Sequence, residues 1–167
     1  VLRSNRLSYG PMTAKFEKKF SSLHNNKYGV FTNSGTSALR ASIHALKILN
    51  GWQDGDEIII PATTFVATYN VVLHNNMKPV LVDIGWDLNI NTEEIEKAIT
   101  KKTRAVMPVH LLGRPADMPA ILKIAKKHKL KVIEDCAVSL GAKYENKLVG
   151  TFGDVANSSK VRYGGAI

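Results

Sequence analysis

Residues 55–65 read Gly-Asp-Glu-Ile-Ile-Ile-Pro-Ala-Thr-Thr-Phe, and this stretch decides the fold class. Three consecutive isoleucines without polar alternation predict a strand that is buried on both faces, and Pro61 predicts where that strand stops. Strands of this kind belong to parallel sheets that helices cover on both sides. The small and polar residues that follow Pro61 then lie at the carboxyl end of the strand, where open α/β sheets bind their ligands.

The same pattern recurs along the rest of the chain. Apolar runs predict further strands at residues 79–83, 104–109 and 131–135, and a short one at residues 28–32. Apolar periodicity and capping residues predict helices at residues 13–23, from the break at residues 33–36 to about residue 49, and at residues 66–74, 91–99 and 117–128. This alternation predicts an α/β domain with a mainly parallel sheet that helices cover on both faces.

The amino-acid composition is typical of a globular protein with one domain. The 167 residues suit one domain, and 44% hydrophobic with 22% charged residues is typical of a globular protein. No apolar run approaches the roughly 20 residues that span a bilayer, so no membrane partner is expected. A single cysteine, Cys136, excludes an internal disulfide and favours the cytoplasm. The net charge of +9 comes from dispersed lysines, which favours acidic small molecules over nucleic acid as partners.

Several polar or aromatic residues follow the predicted strands, so they are expected at one edge of the sheet. The turn at residues 34–37, Ser-Gly-Thr-Ser, opens a helix whose free N–H groups and positive end suit a phosphate. Asp135 could hold a protonated ring nitrogen, Phe65 could stack on a planar cofactor, and His110 could act as an acid or base. Each residue alone also has an ordinary explanation, as a helix cap, an ion pair, a core aromatic or a hydrogen-bonded structural histidine.

Together, these motifs resemble the DegT/DnrJ/EryC1/StrS family of sugar aminotransferases over nearly the whole chain. The matching segments are residues 33–39, 55–68, 79–84, 108–118, 132–135 and 150–154. The resemblance implies a type I fold of pyridoxal-phosphate (PLP) enzymes and a homodimer with active sites at the interface. It also implies that residues 1–167 form the PLP-binding large domain, incomplete at both ends, without the small C-terminal domain.

The resemblance assigns roles to single residues. Thr36 and Ser37 take the positions that hold the cofactor phosphate. Phe65 takes the place of the aromatic that stacks on the ring, and Asp135 that of the aspartate that pairs with the pyridine nitrogen. No metal is expected. The cofactor-binding set implied in this way is Gly35, Thr36, Ser37, Phe65, Asp135, Ser158 and Lys160.

Two departures from the family pattern bear on the chemistry. Val138 stands where the family usually has Gln or His near the cofactor, and an apolar side chain cannot hydrogen-bond the phenolic oxygen of PLP. The stretch after Asp154 is also several residues shorter than the family's run before its Schiff-base lysine. Lys160, just before a Gly-Gly turn, is the nearest candidate for that lysine and, with Asp135, completes the predicted catalytic pair.

Three functions fit these residues. The leading one is a PLP-dependent aminotransferase that passes the amine of an amino-acid donor to a nucleotide-linked keto sugar, in cell-surface polysaccharide or deoxyamino-sugar biosynthesis, with the lysine moving protons. The alternative is a sugar 3-dehydratase of the same family, in which histidine replaces the lysine. The third is a non-catalytic PLP-fold fragment or regulatory relative. A nucleic-acid-binding domain has only the net charge in its favour.

Overall fold

The structure, a computed structural model, describes residues 8–159 and divides the chain into two units that meet at Asn33 and Ser34. In the first unit, helix α1 (Pro11–Leu23) begins with a proline, whose missing N–H costs nothing at that position. The predicted helix is present and Phe16 stacks on Phe20 with ring centroids 5.6 Å apart, but Phe16 and Leu23 of its apolar face are exposed. The strand predicted at residues 28–32 is wrong. Its Phe31 N–H donates to the Glu17 carboxylate of α1 at 2.8 Å rather than to a neighbouring strand.

The second unit alternates strands and helices as the sequence predicts. Its elements are α2 (Gly35–Asn50), β1 (Glu57–Pro61), α3 (Val66–Leu73), β2 (Lys78–Val82), α4 (Thr92–Ala98), β3 (Thr103–Val106), a 3₁₀ turn (Leu111–Gly113), α5 (Met118–His128), β4 (Lys131–Cys136), β5 (Lys143–Tyr144), β6 (Lys147–Leu148) and β7 (Val155–Ser158). The capping residues behave as expected. Asn91 accepts a hydrogen bond from the Glu93 N–H, and Gly51 ends α2 with a left-handed φ of 64°.

Five strands form one sheet in the order β2-β1-β3-β4-β7, and every neighbouring pair is parallel. This confirms the predicted α/β class and the mainly parallel sheet. Strands β5 and β6 form a separate antiparallel pair. Neither this pair nor β7 is predicted from the sequence, since all three lack a continuous apolar run.

The isoleucines of β1 explain why both faces of the sheet are covered. Ile58 and Ile60 pack into a cluster with Leu39 of α2 and Val71 of α3. Ile59 points to the opposite face and packs into a second cluster with residues of α4 and α5. All three isoleucines are fully buried, as the run of apolar residues predicts.

The strand order decides where a ligand can bind. The chain moves from β1 to β2 on one side and then returns to β3 on the other side of β1. Open α/β sheets bind ligands at the carboxyl ends of the strands around such a reversal. Within residues 8–159, no helix has the length and apolar character that crossing a membrane requires.

Candidate active site

Asp135 lies at the carboxyl end of β4 and is only 3% exposed. Its Oδ2 accepts a hydrogen bond from Thr68 Oγ1 at 3.0 Å, and its Oδ1 accepts one from the Ala137 N–H at 3.1 Å. Burial raises the pKa of the Asp135 carboxyl above its ordinary value, although Ala137, Thr68 and the nearby Asn157 act in the opposite direction. None of the ion pairs formed within residues 8–159 includes Asp135. The site therefore holds a buried carboxylate without a charged partner of its own.

The turn from β1 into α3 supplies the polar support of Asp135. Thr68 is 1% exposed, and its hydroxyl lies 2.9 Å from the Thr64 hydroxyl. The two threonines and Asp135 thus form one hydrogen-bonded chain that joins the carboxyl ends of β1 and β4. Sequence reasoning does not select Thr68, although its position on the first turn of α3 places it beside the sheet edge.

Phe65 ends the same turn and leaves its ring exposed. The side chain is 72% exposed, which excludes the plain core role that an aromatic at a strand end commonly has. A large apolar ring held in solvent at the ligand edge of a sheet is available to stack on a flat ligand.

The N-terminus of α2 forms the opposite side of the candidate site. The Ser34 hydroxyl caps the helix by accepting the Ser37 N–H at 3.1 Å. Thr36 is exposed and Ser37 is half-buried, and the Ser37 hydroxyl accepts a hydrogen bond from the Ser34 hydroxyl at 3.1 Å. The first N–H groups of a helix have no acceptor within the helix, and together with the positive end of the helix dipole they form a seat for an anion.

Gly35 brings α2 close to the end of β7. A Cβ at Gly35 would lie 2.9 Å from the Cβ of Ser159 and 3.7 Å from Nδ2 of Asn157. The first distance is too short for any other residue type unless Ser159 moves. Glycine is therefore needed here to let the helix N-terminus approach the strand.

Strand β7 contributes polar side chains that the described residues leave without partners. Asn157 pairs in register with Asp135 and is 3% exposed. Neither its Oδ1 nor its Nδ2 has a hydrogen-bond partner in the described part of the chain, and the same is true of the Ser158 hydroxyl. Ser159, which sequence reasoning does not select, lies on the same side of the strand as Asn157. It is Ser159, and not Ser158, that contacts Gly35.

His110 lies outside this cluster and has a structural role. The Ala116 N–H donates to its Nδ1 at 3.0 Å, so the proton of the neutral ring is on Nε2, which donates to Glu134 at 3.1 Å. Glu134 also accepts the N–H groups of Gly150, Phe152 and Gly153, each at 2.7 Å. Both nitrogens of the imidazole are occupied, which favours the structural role over the acid–base role considered for His110.

The same hydrogen bonds set the charge of Glu134. Burial acts to raise the pKa of the Glu134 carboxyl, but the bonds from His110 and the three backbone N–H groups outweigh it and hold the pKa below its ordinary value. Cys136 lies beside this pair, with candidate ligand atoms within 4.8 Å of one another. Burial raises the pKa of the Cys136 thiol, and the His110 and Glu134 atoms already serve as hydrogen-bond partners. Because both imidazole nitrogens of His110 and both carboxylate oxygens of Glu134 are in hydrogen bonds, neither residue has an atom available to bind a metal ion.

Two residues of the predicted site remain to be placed. Val138 follows β4 and is half-buried, three residues beyond Asp135. Lys160, the predicted Schiff-base lysine, lies outside residues 8–159. The remaining predicted cofactor residues divide between two sides of one sheet edge: the N-terminus of α2 on one side, and Phe65 and Asp135 on the other.

The model of the DegT/DnrJ/EryC1/StrS aminotransferase family matches residues 1–159. GDP-perosamine synthase of Escherichia coli O157:H7 is 41% identical over 155 residues, which are 91% of this chain and 41% of that protein. The UDP-N-acetyl-3-dehydro-α-D-glucosamine 3-aminotransferase of Acidithiobacillus ferrooxidans is 45% identical over 140 residues, covering 83% of this chain and 37% of the relative. The chain thus spans about two fifths of the length of the curated relatives it matches.

Solved structures share the same fold. NtdA from Bacillus subtilis with bound cofactor PMP superposes with a TM-score of 0.86 at 38% identity, over 93% of this chain and 34% of that chain. A variant of the GDP-4-keto-6-deoxymannose-3-dehydratase ColD with bound GDP-perosamine superposes with a TM-score of 0.90 at 34% identity, over 96% and 42%.

Proposed function

The chain belongs to the DegT/DnrJ/EryC1/StrS aminotransferase family, and from this premise we propose that it is the PLP-binding large domain of an aminotransferase that acts on a nucleotide-linked keto sugar. One observation carries the proposal: the buried carboxylate of Asp135, hydrogen-bonded by Thr68 and without a cationic partner among the described residues, faces the same sheet edge as the N-terminus of α2. A carboxylate in that setting gains a partner when a cationic ligand binds.

The residues at this edge fit PLP in three respects. The cofactor's phosphate suits the N-terminus of α2, with Thr36 and Ser37 as hydroxyl donors. A protonated pyridine nitrogen suits the negative charge of Asp135, and the unpartnered amide of Asn157 beside it offers a further hydrogen bond. The absence of a Cβ at Gly35 keeps the phosphate end close to β7. PMP in the similar NtdA structure supports the same cofactor class.

Bound PLP supplies an electron sink that stabilises negative charge on the carbon next to the substrate nitrogen. Asp135 would hold a proton on the ring nitrogen, because its negative charge would favour the protonated ring. Thr68 fixes the orientation of Asp135 through Oδ2, and Thr64 orients the Thr68 hydroxyl in turn. The exposed ring of Phe65 would stack on the cofactor and keep solvent away from it.

We assign the covalent attachment of PLP, and proton transfer to and from the substrate carbon, to Lys160. A lysine can do this when it is desolvated beside the cofactor, since desolvation lowers its pKa. The resemblance also implies Ser158 as a cofactor-binding residue, but strand alternation puts its side chain on the face of β7 opposite to Asn157, so we assign the hydroxyl at the phosphate end to Ser159, which contacts Gly35. The proposal also includes an amino-acid amine donor, a homodimer and a cytoplasmic location. The relatives named for GDP- and UDP-linked sugars support the substrate class.

Two measurements on the purified protein test this proposal together. The first incubates it with PLP, an amino-acid donor and a nucleotide-linked keto sugar, and identifies the product by mass spectrometry; the expected product carries an amine in place of the keto oxygen. The second reduces the PLP complex with borohydride and maps the modified peptide. A pyridoxyl group on Lys160 is expected, and a pyridoxyl group on any other lysine rejects the role of Lys160.

A 3-dehydratase is the second candidate function, and the structural similarity to ColD favours it. The same residues would bind the cofactor, and the difference would lie in the group at the lysine position. A product that has lost its 3-hydroxyl without gaining an amine, together with no borohydride adduct on any lysine, supports the dehydratase over the aminotransferase.

A further inference from the structure

We propose that Asn157 is a cofactor-binding residue of this chain, whose carboxamide hydrogen-bonds a polar group of PLP between Asp135 and the N-terminus of α2. The inference rests on the proposed function for the identity of the ligand. It assigns a role to a residue that neither the motif pattern nor the ordinary packing of a strand requires.

The first argument is the state of the amide itself. Asn157 is 3% exposed, and its amide lies near enough to Asp135 to act against the rise in the pKa of that carboxyl, yet neither its oxygen nor its nitrogen makes a hydrogen bond of normal length and angle within residues 8–159. Buried amides are almost always hydrogen-bonded, because leaving them unpaired costs free energy that an apolar side chain of the same shape would not cost. Asn75 illustrates the usual case, since its buried Nδ2 donates to the carbonyls of Val71 and Arg40.

The second argument is where the amide lies. Asn157 is the register partner of Asp135 on the neighbouring strand. Its Nδ2 lies 3.7 Å from the position that a Cβ of Gly35 would take. The unpaired amide therefore lies between the buried carboxylate and the anion seat of α2, at the carboxyl ends of β4 and β7.

The third argument is that the side chain of Val138 cannot form a hydrogen bond. Val138, three residues beyond Asp135, offers no hydrogen bond to a ligand from its own side of the site. Asn157 can both donate and accept, so it can bind a ring substituent or a phosphate oxygen of PLP. A ligand that pairs with Asn157 removes the cost of its burial, and that gain contributes to the affinity for PLP.

The test is Asn157→Leu, which keeps the shape of the side chain and removes its polarity, compared with Asn75→Leu as the matched control. In the PLP-free protein, Asn157→Leu is expected to raise the midpoint of urea unfolding, whereas Asn75→Leu lowers it. In a fluorescence titration with PLP, Asn157→Leu is expected to weaken the affinity about tenfold, and Asn75→Leu leaves it unchanged.

Three outcomes overturn the inference. If Asn157→Leu lowers the unfolding midpoint or does not fold, the amide has a structural partner. If the variant is more stable without PLP but binds PLP as tightly as the parent, Asn157 is not a ligand of the cofactor. If the parent protein does not bind PLP at all, the proposed function fails and this inference fails with it, which separates that result from the previous two.

Discussion

Thr68 donates a hydrogen bond to Asp135 across 67 residues of sequence, with Oγ1 3.0 Å from Oδ2, and both side chains are almost completely buried. This bond joins the helix after β1 to the end of β4 at the point where the strand order reverses. It gives the Asp135 side chain one fixed orientation and partly offsets the burial that raises the pKa of that carboxyl. The orientation of Asp135 is therefore a property of the folded chain before any ligand binds.

Replacing Thr68 with valine tests this relationship. Thr68→Val keeps the β-branched shape but removes the hydroxyl, so Asp135 loses one of its two hydrogen bonds. We expect the free energy of unfolding to fall by about 1–2 kcal/mol, the pKa of Asp135 to rise further, and the PLP affinity to weaken. Thr68→Ser retains the hydroxyl and should behave like the parent. Equal stability and equal PLP affinity in all three proteins would show that the bond has no energetic role.

A second prediction concerns the cost of burying the Asp135 charge. Asn can keep both contacts, because its oxygen accepts the Ala137 N–H and its amide donates to the Thr68 hydroxyl. The folded-state pKa of Asp135 is raised above the ordinary 3.8, so the folded protein holds the proton more tightly than the unfolded chain between these two pKa values. The contribution of Asp135 to stability consequently falls as the pH rises through that window.

PLP-free Asp135→Asn should therefore be more stable than the parent at pH 7. This stability advantage should shrink as the pH is lowered toward the ordinary pKa of an aspartate. Separately, Asp135→Asn should lose most transamination activity. Urea unfolding at several pH values measures the difference. A variant that is less stable than the parent by the same amount at every pH would contradict this account.

The buried Glu134 should contribute strongly to the stability of the fold. Its carboxylate accepts four hydrogen bonds, from His110 and from three backbone N–H groups. Each oxygen accepts two of these bonds, so Glu134→Gln turns an NH₂ group toward two donors, and we expect a loss of about 3 kcal/mol in the free energy of unfolding. Glu94→Gln serves as the control, since Glu94 pairs with Lys97 on the surface and its loss should change little.

The pH dependence of Glu134 has the opposite sign to that of Asp135. Its folded-state pKa is lowered, so its stabilising contribution is present above the ordinary 4.5 and is lost as the pH falls through the lower folded value. If Glu134→Gln is no less stable at pH 7 than Glu94→Gln, the hydrogen-bonded network does not hold the loop to β4.

The close approach at Gly35 leads to a prediction with its own rescue. In Gly35→Ala, the new methyl group would lie 2.9 Å from the Ser159 Cβ, so either the N-terminus of α2 or Ser159 has to move. We expect lower stability and weaker PLP binding. Adding Ser159→Gly removes the clashing atom and should restore most of the stability. If the double variant is as unstable as Gly35→Ala, the clash is not the cause.

The sequence correctly predicts the elements whose formation depends on residues close together in the chain. The isoleucines of β1 and the caps of α4 and α5 are correct, because burial on both faces and a capping hydrogen bond depend on neighbouring residues. Residues 28–32 carry β-prone side chains but have no strand to pair with in residues 8–159, and the prediction there is wrong. Strand β7 has half its residues polar and forms because β4 offers a parallel edge.

The candidate site shows the same division. Asp135, Phe65 and the N-terminus of α2 follow strands or open helices, so the rule that ligands bind at strand ends selects them. Thr68 and Ser159 gain their roles from partners far away in the sequence, and no local pattern marks them. The family resemblance selects Ser158, whereas strand alternation puts Ser159 on the Asn157 side, which is evident only once β7 is known to be a strand.

The most direct test of the central claim is the ¹⁵N NMR signal of PLP labelled at the ring nitrogen and bound to the protein. If Asp135 pairs with that nitrogen, the bound signal in the parent protein should have the shift of a protonated pyridinium and keep it as the pH rises to values where free PLP loses the proton. Asp135→Asn should bind the label with the shift of an unprotonated ring. No bound signal in the parent, or the same shift in both proteins, would contradict the account.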